Sequence, residues 1–547
     1  IKKNLKYFEK RMLFKLKLCV CIITHYCLSI DSFRMNMPVS MNMVKNSSKV
    51  GENKFKENVA GNDLKKKGVV IVGGGPAGLS AALLFAKRGW NNITVLESSP
   101  SPSYFDASKG FSYRINKKGL KQMERFDLRE KLMNNSFGDS TFNLTTIKPN
   151  KVKENKTIPF SDKDSQGYWL FRQNFIEILY NEVCSDRFKD KINVIYNSQC
   201  KDIVRKNGEN YSVVYEYAKN ESSDDPHKFL EANLIVGADG LFSVVRSKLK
   251  EWDIENGGSG KGFEMKPFKS GSSGLQYKVL TLPFDFKLTN DENETERAVS
   301  NRSYVPISIH KGRNFLRLGI LPVGPNATYR TANIITWPRN RVWSFKTGKE
   351  FFEYLEMSFP QIPVGEWITL EQCEDFVKRE PGVFPQPQFC KKLVWTEKNR
   401  GAVLLGDAIH CFPPDLGQGV NSALEDITVL EDCFEQNSDD LVDSLKMFQS
   451  SRENDVKALI KLVVLGYPWQ YKQNSFRDKL WAVNFAFRLA LSKLFPKVFY
   501  PQIMSAQKEN IPYSEILKRV NQTTRRIWAS LAIIIGSAIA LFIRVPG

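Results

Sequence analysis

One short stretch constrains this chain more than any other: Gly73-Gly74-Gly75-Pro76-Ala77-Gly78, set between the apolar run Val69–Val72 and an apolar, alanine-rich stretch that begins at Leu79. Glycines at 73, 75 and 78 between a strand and a helix form the fingerprint of a dinucleotide turn. Gly73 permits the tight turn, Gly75 lets the backbone approach a pyrophosphate, and Gly78 lets the helix pack closely on the sheet. The helix start, with Ala77 in its first turn, then presents free N–H groups and the positive end of its dipole to phosphate. Glu97 lies 19 residues beyond Gly78 at the end of a second apolar run, Ile93–Leu96, where a carboxylate suits the hydroxyls of an adenosine ribose. A glycine turn without a ligand is the plain alternative; strand, helix and acid together weigh against it.

Two distant segments extend the pattern. Gly237-Ala238-Asp239-Gly240 follows the apolar run 234–236, with Ser243 and Arg246 downstream. Asp239 and Gly240 suit the ribose or pyrophosphate side of a nucleotide, although an Asp-Gly turn alone is common at strand ends. Gly406-Asp407 follows the apolar run 403–405 and leads to Gly417-Gln418-Gly419-Val420-Asn421. A carboxylate at 407 suits the ribityl hydroxyls of a flavin. Gly417 and Gly419 allow backbone N–H groups at the next helix start, through Val420 and Asn421, to face the isoalloxazine carbonyls, where negative charge builds on reduction. The three segments in this order describe one FAD site.

A formal net charge of +20 invites a nucleic-acid partner, but its distribution does not. Residues 1–67 hold 15 basic and 5 acidic residues, residues 451–547 another 15 and 5, and the remainder is balanced at 49 of each. A neutral body with two basic ends suits a membrane surface better than nucleic acid. The nine cysteines include no Cys-x-x-Cys pair and read as reduced thiols.

Along the 547 residues the order of elements predicts an α/β fold. Residues 1–67 read as a leader with a weak secretory-type signal from Met12 and a disordered linker. Residues 68–250 form the first part of a Rossmann-like FAD-binding domain, with a helix over 79–88, a helix over 167–184 entered through Arg172, and strands at 192–196, 211–217 and 234–236. Residues 251–395 read as an antiparallel-sheet substrate domain, with strands at 277–282, 315–321 and 332–337 and a helix over 350–358. Residues 396–450 return to the FAD-binding domain, residues 451–524 are a helical C-terminal region, and residues 525–547 a membrane anchor. That anchor is the run 527–543, 17 uncharged and mostly apolar residues with Arg525-Arg526 before it and Arg544 after it, read as a terminal transmembrane helix. Residues 481–495 carry Arg488 and Lys493 among Trp, Phe and Leu, a pattern that suits a membrane surface or a capping helix.

With these residues in view, the chain resembles the para-hydroxybenzoate-hydroxylase-like flavoprotein monooxygenases, and among them the kynurenine 3-monooxygenase group. The resemblance is close from Gly406 to His410 and from Gly417 to Asp426, and it includes Leu494-Phe495-Pro496, Tyr500-Pro501 and Tyr513. It implies FAD as cofactor, NADPH as a transient reductant and O2 as co-substrate. An aromatic substrate is then hydroxylated through a flavin hydroperoxide, at a mitochondrial outer-membrane location. It also implies that Arg172 of Phe171-Arg172-Gln173 contacts FAD, that Arg114 lies in the flavin-adjacent strand, and that His410 is structural.

The departures fall on the substrate side. The family holds its substrate carboxylate with an arginine and a tyrosine in the segment that here spans 140–160, which contains no arginine and has Phe160 at the tyrosine position. Asp415-Leu416 stands where the family has paired phenylalanines, Gly466-Tyr467-Pro468-Trp469 where it has Asn-Tyr-Ile-Glu, and Ile503 where it has a tyrosine. An unpaired carboxylate is costly to bury, so kynurenine is expected to be a poor substrate. Two other functions stay open at this point: an epoxidase or oxidase acting on an apolar, membrane-derived substrate, and a non-catalytic membrane flavoprotein.

Overall fold

In the computed structural model, which describes residues 68–543 except 105–109, 140, 151–152, 160–165, 207–209, 218–226, 290–294, 325 and 501–510, the strand Val69–Val72 lies inside a six-stranded sheet. The leader, Phe160 and Ile503 fall outside the described residues. Strand order is Val394–Thr396, Gly401–Leu404, Leu234–Gly237, Val69–Val72, Ile93–Leu96, Ile192–Ile195. All neighbours run parallel except the edge strand Val394–Thr396. The central runs are apolar throughout because a parallel sheet is covered on both faces and has no solvent side to leave polar. Helices Pro76–Lys87, Arg172–Val183 and Gly419–Gln436 pack around it, and the first is buried at ten consecutive positions, Ala77 to Ala86.

This topology brings the three glycine-containing segments to one edge. Gly73, Glu97, Ala238 and Leu405 each follow a parallel strand at its carboxyl end, where doubly wound sheets bind ligands. The contacts between segments are close: a Cβ on Gly73 would lie 2.3 Å from the Ala238 carbonyl oxygen, and one on Gly406 would lie 3.3 Å from the Cβ of Ala77.

A seven-stranded sheet forms the second layer, in the order Gly382–Val383, Gln276–Pro283, Tyr329–Thr336, Gly319–Ile320, Ser303–Pro306, Thr141–Ile147, Lys153–Pro159. Its pairs are antiparallel except Ser303–Pro306 with Thr141–Ile147, which run parallel. Two of its strands therefore come from 141–159, far from the rest in sequence. Leu280, Leu282, Ile320, Ala332 and Ile334 build its core with the helices Gly348–Ser358 and Leu370–Lys378. Of the span 315–321 only Gly319–Ile320 joins the ladder, with one isolated bridge between Ile307 and Arg317.

The helix expected over 167–184 begins only at Arg172. Gly167–Phe171 is a buried strand between Ser112–Ile115 and Phe137–Asp139. Tyr168-Trp169-Leu170-Phe171 is an apolar, aromatic run of the kind that favours a central strand.

The C-terminal region is made of the helices Leu441–Leu465, Ser475–Leu494 and Tyr513–Ile543. The expected terminal transmembrane helix is corrected here: among the described residues no helix is long and apolar enough to cross a membrane. The first half of Tyr513–Ile543 is polar, with Glu515, Lys518, Arg519, Arg525 and Arg526, and packs through Tyr513, Ile516 and Val520 on Leu459, Leu462 and Val463. Only the run 527–543 is left, about 26 Å at 1.5 Å per residue against a hydrocarbon core of about 30 Å. Membrane attachment through this helix loses its structural support. Arg488, expected at a membrane surface, turns inward to Asn484 Oδ1 (2.7 Å) and Thr524 Oγ1 (3.1 Å).

Asp426, in Gly419–Gln436, ties these parts together. One carboxylate oxygen accepts the Gly406 N–H (2.8 Å) and pairs with His410 Nε2 (2.9 Å); the other takes Arg452 Nε (2.7 Å). Arg452 also reaches Glu425, Asp455 and the Ser422 carbonyl. Burial by itself would lower the Arg452 pKa, and the three carboxylates raise it instead. Removing one member of such a buried set strands the others. Arg452→Met is expected to cost about 3–5 kcal/mol, read as a lower denaturation midpoint; a change under about 1 kcal/mol would show the network to be dispensable.

Candidate cofactor and substrate site

At the carboxyl edge of the parallel sheet the glycines divide into two groups. Gly73 has φ +103°, and a Cβ on Gly78 would lie 1.8 Å from the Gly73 carbonyl oxygen, so both are required by the fold itself. A Cβ on Gly75, Gly240, Gly417 or Gly419 would meet nothing within 4 Å. These four line open space, a cradle of the kind a phosphate and a flavin ring would fill. The two groups separate by mutation. Gly75 has an extended backbone, φ −75° and ψ −174°, so Gly75→Val should keep the apo-protein melting temperature while losing bound flavin. Gly78→Ala should lower that temperature as well. Equal behaviour of the two variants in melting and flavin absorbance would refute the division.

Glu97 accepts the Gly74 N–H (2.6 Å) and both the N–H and hydroxyl of Ser99 (2.7 Å each). Burial pushes its carboxyl up, but these hydrogen bonds and the nearby Arg172 charge hold it below the ordinary value. It is ionised and orients the turn. Asp239 caps the helix Val244–Glu255 through the N–H groups of Val244 (2.7 Å) and Val245 (3.2 Å). Its other oxygen, Oδ1, is buried without a hydrogen-bond partner among the described residues, and desolvation raises this carboxyl.

Asp407 is exposed while Gly406 and Ala408 beside it are buried. It faces a concavity ringed by protein, so desolvation raises its carboxyl, against the pull of His410 and Arg172 and with the push of Asp426. Arg172 acts electrostatically on Glu97, Tyr113 and Asp407, so the structure gathers residues from three separate segments around one guanidinium.

Two expected residues make contacts within the protein. Asn421 is fully buried: its Oδ1 accepts the Asn116 N–H (2.9 Å) and its Nδ2 donates to the Arg114 carbonyl (2.8 Å), pinning the strand Ser112–Ile115 to the helix start. The Arg114 guanidinium is paired with Asp139 (2.7 Å), which also accepts the Trp169 indole N–H. Side chains alternate across a strand, so the neighbouring Tyr113 takes the opposite face, toward Arg172 and Asp407. Desolvation raises its phenol and the Arg172 hydrogen bond opposes this. Period-two alternation is the sequence signal that sets Tyr113 and Arg114 on opposite faces. His410 is fully buried on Asp426, a structural position.

Next to the Gly417 turn lies a group that the glycine motifs do not reveal. Asp415 accepts from Ser272 Oγ and, more weakly, from Gln470 Nε2 (3.4 Å), and faces the Tyr471 hydroxyl. Burial pushes its carboxyl up to about 6. Tyr471 meets Phe384 edge-on at 5.7 Å, and Phe384 lies 5.2 Å from Tyr277. The folded protein thus holds the Asp415 proton more tightly than the unfolded chain. Stability from that proton is full below about pH 4 and is lost as pH rises through about 6. Asp415→Asn should remove this decline: its melting temperature relative to the parent should rise between pH 4 and pH 7, and a pH-independent difference would contradict the burial of the carboxylate.

Comparison with known proteins agrees with this geometry. The FAD binding domain family matches residues 66–265. Kynurenine 3-monooxygenase of Candida albicans is 22% identical over 477 residues, covering 84% of this chain and 93% of that protein; the Drosophila willistoni enzyme is 24% identical over 486 residues, covering 86% and 93%. Among solved structures, pqsL, a probable FAD-dependent monooxygenase from Pseudomonas aeruginosa, superposes with a TM-score of 0.51 at 17% identity, covering 77% of this chain and all of that one. The tetrameric form of 2-methyl-3-hydroxypyridine-5-carboxylic acid oxygenase gives 0.52 at 17% identity, covering 83% and 98%. At such identities the structural likeness speaks for the fold alone. The chain is similar over most of its length to FAD-dependent aromatic hydroxylases of the kynurenine 3-monooxygenase type. It is an FAD-dependent monooxygenase with NADPH as its reductant.

Proposed function

We propose that this monooxygenase hydroxylates an electron-rich aromatic substrate bound between the Gly417 turn and the seven-stranded sheet. The observation that carries the proposal is the open space at Gly75, Gly240, Gly417 and Gly419, at the same sheet edge as Asp407. Bound FAD, reduced by NADPH, supplies the oxygen-activating chemistry.

The chain's own residues bind, orient and exclude water. Gly73, Gly75, Ala77 and Gly78 would seat the pyrophosphate at the start of Pro76–Lys87. Glu97 would take ribose hydroxyls on lone pairs left free by Gly74 and Ser99. Asp239 Oδ1 and Gly240 offer an unmatched acceptor and open space on the nucleotide side. Arg172 and Asp407 would hold the chain between nucleotide and ring, with Tyr113 beside them. The N–H groups at Gly417, Gly419 and Val420 would face the flavin carbonyls, while Asn421 and Arg114 keep that strand and turn in place. The FAD-binding parts 68–250 and 396–450 and the substrate part 251–395 serve as functional divisions, with the strands of 141–159 lent to the substrate side.

Substrate-stimulated NADPH oxidation, with product mass read in parallel, tests this. The expected product is heavier than its aromatic substrate by one oxygen atom. A product that has lost hydrogen without gaining oxygen would make the protein an oxidase, and bound flavin without NADPH oxidation by any aromatic compound would make it a binding protein.

A further inference from the structure

Arg317 stands beside the site with its charge unanswered. Leu316 and Leu318, on either side of it, are 1% exposed and sit in the core of the seven-stranded sheet, so strand alternation sends Arg317 to the opposite face. There its guanidinium lies 5.1 Å from the centre of the Tyr471 ring, with Tyr467 and Asp478 in electrostatic range. Asp478 is already taken by Lys472 Nζ (2.6 Å) and the Tyr467 hydroxyl (2.9 Å). Among the described residues no oxygen hydrogen-bonds the Arg317 guanidinium, and a ring contact leaves its five N–H donors unmatched. Arg317 is half-open to solvent, yet desolvation lowers its pKa, as for a group lining a cleft.

A desolvated guanidinium without an anion is unfavourable, and its fork matches a carboxylate two bonds at a time. Tyr471 links it to the flavin-side turn, since the tyrosine hydroxyl faces Asp415, two residues before Gly417. Tyr277 and Phe384 supply aromatic wall next to Tyr471.

We propose that Arg317 anchors a ring-borne carboxylate on the aromatic substrate, a duty for which the 141–159 strands offer no arginine. This rests on the reading of the cleft as an aromatic hydroxylation site. The favoured substrate class is therefore an aromatic acid.

The test uses the full-length flavoprotein and probes that differ only in the carboxylate: anthranilate against aniline, and salicylate against phenol, titrated by perturbation of the bound-flavin spectrum. The parent protein should bind each acid at least about 10-fold more tightly than its neutral partner, the loss of a charge-assisted bond being about 10- to 150-fold. Arg317→Gln should remove that preference with the affinity for aniline and phenol unchanged and flavin content at the parent level. Arg317→Lys should restore part of it. The proposal is overturned if the neutral compounds bind as tightly as the acids, if no acid perturbs the spectrum, or if Arg317→Gln leaves the preference intact. The titration needs no turnover, so it decides on Arg317 even where NADPH oxidation fails and the hydroxylation reading falls.

Discussion

The Asp426 carboxylate is the contact on which the rest of this arrangement depends. It is fully buried, and burial alone would make it neutral, but His410 and Arg452, with the Gly406 N–H, hold it below the ordinary carboxylate value. The same group fixes the turn that presents Asp407, the helix that begins at Gly419 and the helix that carries Arg452. Arg452 in turn reaches Asp455, whose other oxygen accepts the N–H and hydroxyl of Ser514 at the start of the terminal helix (2.8 and 2.7 Å). The C-terminal helices are thereby coupled to the floor of the cofactor site. Ionic networks of this kind are worth more as geometry than as net stability.

Around that hub, two different sheets meet. The parallel sheet lends its carboxyl edge, with open glycines and the acids Glu97 and Asp407 near Arg172, which suits a nucleotide and a flavin. The mixed sheet lends side chains, among them Arg317 and Tyr277, to the side proposed for the substrate. The Gly417 turn and Asp415 lie where these surfaces come together, and a raised carboxyl at that point reflects how little water the junction admits.

Much of the cofactor side was legible because each motif carries its own local physics. Gly73 needs a positive φ and Gly78 a missing Cβ, and both needs show in six residues. The substrate side was less legible. Thr141–Ile147, with its neighbour Lys153–Pro159 on its outer side, pairs in parallel with the distant strand Ser303–Pro306, and nothing local marks such pairing. Resemblance points to Arg114, and one step along a strand to Tyr113 exchanges its faces. The terminal run was read from its apolarity, which does not show that its helix starts at Tyr513 and docks through a polar, charged half.

The sequence by itself determined the nucleotide half-site. A glycine turn between an apolar strand and an apolar helix, followed by an acid, has few ways to fold, because sterics and backbone hydrogen bonding act within one βαβ unit. Which side chains share a cleft was decided only by tertiary structure. Asp407, Glu97, Arg172 and Tyr113 come from four separate stretches of chain, as do Arg317, Tyr471 and Asp415 from three. Their meeting depends on sheet order, strand pleat and the buried ion network, and these are set by packing across the whole chain.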